Sequence, residues 1–356
     1  MLAAATAGNT KRFISAIEYV RNINFEDNQK ETALHKAAGG GHTEIVELLL
    51  EKGAEIGAKN NYNNTPLHPA ARNGHTSIVE LLLEKGASIE AMGEDNNTPL
   101  HLAAWGGQTS TVELFLEKGV SIEAAVHGSY NTPLHLAAEN GRTSMVKLLL
   151  EKGALIEATN RYNDTPLHFA VVSGHISTAE LLLRKGASIE VITESKYTPH
   201  FAALSGCTSI VELLLREGAL TDAITESKYT PLHLAAEGGY TSIVELLLER
   251  GALIEAINWY NNTPLHLAAG GGHTSTAELL LRKGASIETV NDYKDTPLHL
   301  AARGGYIGIV KLLLGAGASI EAIKKCGYTP LDYAVQHGHI EVVKFLKSEA
   351  AKLIDY

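Results

Sequence analysis

A Thr-Pro-Leu-His tetrapeptide or a near variant begins at Thr32, Thr65, Thr98, Thr132, Thr165, Thr198, Thr230, Thr263, Thr296 and Thr329. Successive starts lie 33, 33, 34, 33, 33, 32, 33, 33 and 33 residues apart. A period held this closely over ten copies means one structural unit stacked many times, which overrides the two-domain reading that 356 residues would otherwise suggest.

The copies share one local logic. Threonine ahead of proline fits a helix N-cap followed by the first helical position, because proline lacks the amide that would be orphaned there. Each Thr-Pro therefore predicts the start of a short helix A. The pairs Ala103-Ala104, Ala235-Ala236 and Ala301-Ala302 let helix backbones approach closely, and Gly107, Gly239 and Gly305 end that helix. Ser-x-x-Glu follows, as Ser77…Glu80, Ser209…Glu212, Ser242…Glu245 and Ser275…Glu278, and predicts a capping box that opens helix B. Helix B carries Val79, Leu82 and Leu83 at helical spacing and stops at glycines such as Gly86, Gly119 and Gly153. Ser88-Ile89-Glu90-Ala91 and the polar turn after it read as an extended finger. One such unit is too small to bury its Leu-rich face, so stacked neighbours must bury it. A chain that is 45% hydrophobic and 20% charged has the composition to do so.

The run from Thr98-Pro99-Leu100-His101-Leu102-Ala103-Ala104 through Gly119-Val120-Ser121-Ile122-Glu123 resembles the ankyrin repeat, and the resemblance covers essentially the entire chain. It implies an all-α repeat fold: an ankyrin-repeat solenoid of helix-turn-helix units with protruding β-hairpin-like fingers. Residues 1–27 lack Thr-Pro, but Ala3-Ala4-Ala5, Gly8, Phe13 and Ile17 fit a truncated helix pair, read as an N-terminal capping half-repeat. Repeats are expected over 28–60, 61–93, 94–127, 128–160, 161–193, 194–225, 226–258, 259–291 and 292–324. A C-terminal capping repeat, 325–356, replaces the motif histidine with Asp332 and loads its last helix with Lys344, Lys347, Glu349 and Lys352.

The pattern breaks in a few places. Thr198-Pro199-His200-Phe201 has lost the leucine, so that either helix A starts one residue late or the finger is shortened. An extra residue within Ala125-Val126-His127-Gly128-Ser129 predicts a longer finger. Ile192–Tyr197 recurs as Ile224–Tyr229, which reads as an internal duplication. Two residues before the threonine, where the family usually has glycine, stand Asn63, Asn96, Asn163 and Asn261, or Lys30, Lys196, Lys228 and Lys294; Gly327 keeps the glycine. Asparagine tolerates the left-handed conformation, whereas lysine there predicts a distorted or strained turn.

Sixteen histidines are present, but nine recur at the motif position and five follow the inter-helix glycine. Equivalent positions in a stack lie about 8–10 Å apart, too far to share a zinc ion whose nitrogens sit about 2 Å away. They read as imidazoles bonded to backbone groups. There is no Gly-Lys dipeptide for a phosphate loop and no Gly-x-Ser-x-Gly elbow, and the triplets Gly39–Gly41 and Gly270–Gly272 fall between helices. The repeated Glu80, Glu113, Glu212 and Glu245 read as a solvated helix face, and Cys207 as a packing residue. No catalytic, cofactor-binding or metal-binding residue is assigned, and no enzyme activity is expected.

Function is then expected in the residues that vary while the framework stays constant. The finger tips carry Tyr62, Tyr130, Tyr162, Tyr197, Tyr229, Tyr260, Tyr293 and Tyr328, with Trp259 beside Tyr260. Trp105 occupies the variable position after Ala-Ala, where Arg72, Glu139, Leu204, Glu237 and Arg303 stand in other copies. Tyrosine and tryptophan dominate interface hot spots. The resemblance makes this finger and helix A face the concave, partner-binding side of a non-enzymatic scaffold, with Tyr62, Trp105, Tyr130, Tyr162, Tyr197, Tyr229, Trp259, Tyr260 and Tyr293 as candidate contacts. It also offers two alternatives. One is the recognition part, or an effector-type adaptor, of a larger assembly. The other is a substrate of an asparaginyl hydroxylase, with Asn60, Asn160, Asn258 and Asn291, five residues before Thr-Pro, as the modified positions.

A formal net charge of −10 argues against nucleic acid as partner. No apolar run reaches the roughly 18 residues of a membrane span, and the N-terminus lacks the basic start of a signal peptide. Two cysteines, Cys207 and Cys326, suit a reducing compartment. The expectation is a monomeric cytoplasmic protein that binds protein partners without a cofactor, in a host cytoplasm if it is a bacterial effector.

Overall fold

The computed structural model describes residues 1–189, 198–323 and 327–354. Tyr197, Lys196, Cys326 and the Ile192–Tyr197 copy lie outside the described residues. Among those described, 22 α-helices and one short 3₁₀ turn, Glu94–Asn96, follow one another with no β-strand. The chain divides into two compact units, Met1–Ser188 and Ile189–Tyr356.

In the first unit a helix pair, Leu2–Thr6 and Thr10–Ile17, precedes five further pairs, among them Pro99–Gly106 with Thr109–Glu117 and Pro133–Glu139 with Thr143–Glu151. In the second unit five pairs run from Thr198–Ser205 with Thr208–Arg216 to Pro330–Gln336 with Ile340–Ile354. Within each unit every helix A packs on the next helix A and on its own helix B. Their alanine pairs, such as Ala103-Ala104 and Ala301-Ala302, are fully buried. At the end of the second unit Leu298, Ile309, Val310 and Leu313 form one core cluster with Val342 and Leu346 of the last helix. The fingers form tight hairpin-like turns. In the one at Asn60, Asn60 N–H donates to Asn64 O at 3.0 Å and Asn63 N–H back to Asn60 O at 2.9 Å.

Helix A starts as the sequence predicts. Thr98 is an extended N-cap with Pro99 in the first turn, and the same holds at Thr132, Thr165, Thr263 and Thr296. A capping box is present here, closed by histidine. Thr98 N–H and O–H both donate to His101 Nδ1, at 3.3 and 2.8 Å. Asp332 performs the same task in the last copy, where Thr329 N–H donates to Oδ2 at 2.8 Å.

The capping box expected at helix B is a correction. Helix B opens at Thr76 with His75 as N-cap, and at Thr241 and Thr274 with Tyr240 and His273, all without a side-chain cap. Ser77 and its equivalents already lie inside the helix. The N-cap side chain is used elsewhere: His75 Nε2 donates to Gly39 O at 3.1 Å and His273 Nε2 to Glu237 O at 2.8 Å, each tying its helix pair to the one before. Gln108 reaches Arg72 O at 3.2 Å and Arg142 reaches Trp105 O at 3.2 Å from the same slot. Threonines add a second link, Thr76 to Thr111 and Thr241 to Thr276, each 2.8 Å between hydroxyls.

The irregular copies resolve differently. The helix at Thr198 does not start late, since it already includes Thr198, and its Ala202 and Ala203 are as buried as the other alanine pairs. The inserted residue lengthens the finger, as expected: Val126 N–H donates to Asn131 O, five residues on, at 2.9 Å, where other fingers pair residues four apart. Lys30, Lys228 and Lys294 adopt φ of 57°, 57° and 61°, matching 58° at Asn63. Their turns keep the geometry of the asparagine turns, so lysine strains the turn without distorting it.

Candidate functional site

Four fingers are held from within by an asparagine. Asn60 Oδ1 accepts from Tyr62 N–H at 2.9 Å and Asn64 N–H at 3.0 Å. Asn160, Asn258 and Asn291 hold Tyr162, Tyr260 and Tyr293 in the same way. All four asparagines are buried. Their burial follows from the Asx-turn chemistry of asparagine, which replaces backbone partners the tight turn cannot supply. The fingers are also joined tip to tip, by Arg161 N–H to Ser129 O at 2.9 Å and Asp292 N–H to Tyr260 O at 3.0 Å.

This scaffold presents Tyr62, Tyr130, Tyr162, Trp259, Tyr260 and Tyr293 as exposed side chains, Trp259 the most open at 61%. Tyr229 is half-buried and tilts against His233 at 5.7 Å between ring centres. Arg161 lies over Tyr162 at 5.1 Å. Tyr130 itself occupies the left-handed position of its turn, φ 60°, which is costly for a bulky side chain.

Grooves open between the fingers and helix A in each unit. One of about 660 Å³ lies in the first unit between residues 94–97 and 126–131, with Trp105, Leu102 and Leu136 from helix A. Arg72 stacks on Trp105, its guanidinium carbon 4.3 Å from the ring centre. Glu139 closes one side, and burial pushes its carboxyl above the usual range. In the second unit a groove of about 460 Å³ is lined by Tyr293 and Arg303, and another of about 360 Å³ by Leu204 and Tyr229. Of the candidate aromatics, Trp105, Tyr229 and Tyr293 line grooves. Tyr62, Tyr130, Tyr162, Trp259 and Tyr260 stand on the fingers outside them.

The motif histidines are committed to the framework. His101 Nδ1 accepts from Thr98, so its proton sits on Nε2 and is donated to Ala124 O at 2.9 Å. Burial pushes His68, His101, His135, His233 and His266 down to about 4, leaving them neutral at pH 7. An imidazole bonded at both nitrogens has no lone pair left for a metal, and no group of three or more ligating side chains gathers among the described residues. No described helix is long and apolar enough to cross a membrane.

Short helix pairs stacked through alanine-lined contacts, with fingers such as the one at Asn60 ahead of helix A, define a helical repeat protein. The chain belongs to the ankyrin-repeat family, whose profile of ankyrin repeats in three copies matches residues 1–93, 64–126, 100–193, 199–291 and 272–355. Comparison with curated proteins returned no match. Among solved structures it is similar to a crystal structure of the human ASB11 ankyrin repeat domain, with 31% identity over 57% of this chain and 92% of that one, at a TM-score of 0.54. Ankyrin repeats are protein-interaction modules, and the family is typically non-enzymatic.

Proposed function

We propose that this chain is a non-enzymatic scaffold that binds protein partners along the faces formed by its fingers and A helices. The observation that carries this reading is where the chain varies. The Thr-His cap, the alanine pair and the finger asparagine perform repeated backbone tasks, whereas the residues bordering the grooves change from copy to copy. Groove and finger residues on a framework fixed by hydrogen bonds present aromatic side chains at little ordering cost. With a net charge of −10, the partner is a protein and not a nucleic acid. The protein acts as a cytoplasmic monomer and needs no cofactor.

The test is affinity capture from cell lysate with the intact chain, a Trp105→Ala/Tyr130→Ala/Tyr162→Ala variant and a Trp259→Ala/Tyr260→Ala/Tyr293→Ala variant, each with unchanged circular dichroism. A protein retained by the intact chain and lost from one variant supports the reading and tells which unit holds it. Identical captures by all three would overturn it.

A further inference from the structure

We propose that the groove between residues 94–97 and 126–131 seats an arginine or lysine side chain from an extended segment of the protein partner; this rests on the finger and helix A reading above. Four features of the groove converge on a cation.

The first is an orphaned acceptor. In three copies the residue before the threonine accepts a hydrogen bond from the asparagine 29 residues on: Asn60 Nδ2 donates to Glu31 at 3.4 Å, Asn160 Nδ2 to Asn131 at 3.0 Å, and Asn291 Nδ2 to Asn262 at 2.9 Å. Asn97 stands in that position, but the residue 29 on is Val126, which has no donor. Asn97 Oδ1 is therefore buried without a partner, at the wall of the groove. An unmade bond of this kind is costly, and a ligand donor recovers it once the groove wall opens enough to uncover the oxygen.

The second is charge. Glu94, Asp95 and Glu139 line the groove against one cation, Arg72, and none of the three carboxylates is ion-paired among the described residues. Arg72 is already engaged on the face of Trp105. Three negative charges against one positive leave a local excess of two negative charges.

The third is the floor. Leu102, Val126 and Leu136 give the groove an apolar base suited to the methylene stem of a long basic side chain, whose head would then reach the carboxylates and Asn97. The fourth is the rim, where Asp95 and Asn96 are both held at positive φ, 52° and 61°. Strained backbone of this kind gathers at ligand clamps.

The experiment pans phage-displayed random dodecapeptides on the full chain and measures synthetic copies of the enriched peptides by fluorescence polarisation. Enriched peptides should carry an arginine or lysine beside apolar residues. Replacing that residue with citrulline or norleucine should weaken binding about tenfold or more, as should Glu94→Gln/Asp95→Asn/Glu139→Gln with unchanged thermal melting. Peptides without a basic residue, or binding indifferent to the carboxylate variant, overturn the proposal. If such peptides still require Trp105, tested as Trp105→Ala, only the cation assignment falls. If they do not, or if no peptide is enriched, the groove reading falls with it.

Discussion

The Nε2 of His233 donates to the carbonyl oxygen of Asn262, 29 residues ahead, at 3.0 Å. His135 reaches Asp164 at 3.0 Å and His266 reaches Asp295 at 3.1 Å in the same register. A ring that caps its own helix through Nδ1 therefore fastens the next finger through Nε2, and it does both only while neutral.

Stability should accordingly fall in mild acid. Five of these histidines are pushed from 6.5 down to about 4. Between those values the unfolded chain binds more protons than the folded one. Their contribution is thus complete above pH 6.5 and is lost as pH falls towards 4. Each shift corresponds to about 3 kcal/mol at most. Urea midpoints should be level from pH 8 to 7 and drop steeply below 6; a flat profile down to pH 5 refutes the histidine origin.

Tyr130 holds a left-handed turn that asparagine fills elsewhere. Tyr130→Asn should raise stability by about 1 kcal/mol by relieving the strain. Lys294→Asn should act alike at its own turn. Thermal melts of the two variants check both, and an unchanged or lowered midpoint means the strain is absent.

Two glycines separate strain from packing. Gly251 has φ 89° with open space where a Cβ would stand, while Gly272 has φ 83° and a Cβ there would meet the Tyr306 ring at 2.7 Å. Gly251→Ala should cost about 1 kcal/mol, and Gly272→Ala about 2 kcal/mol or more. Equal losses in denaturant titrations would mean the ring moves aside freely.

Asn160 makes three side-chain hydrogen bonds, to Tyr162, Asp164 and Asn131. Asn160→Ala should destabilise the chain by about 2 kcal/mol, since it leaves finger amides unsatisfied. If Asn160 is instead chiefly a hydroxylation site, the loss in urea stability will be negligible.

The helix pairs could be read in advance because their signals are local. Proline after threonine, glycine past a helix end and alanine at a close contact each act within one turn. The cap of helix B could not be read so, because His75, Gln108 and Arg142 spend their side chains on a carbonyl more than thirty residues back. Trp105 and Glu139 were visible as variable helix A positions. The gathering of Glu94, Asp95 and Asn97 beside them was not, since it depends on how one added residue reshapes the finger at Val126. Its only trace was a spacing of 34 in place of 33.

The slot after the inter-helix glycine asks its neighbour for nothing but a carbonyl oxygen, a group every residue carries, and it is met by histidine, glutamine or arginine alike. A stretch of gene copied in frame at this period would arrive with both halves of its joint. Such a lineage can lengthen or shorten its binding surface without co-adapting the seams, and the identical Ile192–Tyr197 and Ile224–Tyr229 segments are the kind of trace such copying leaves.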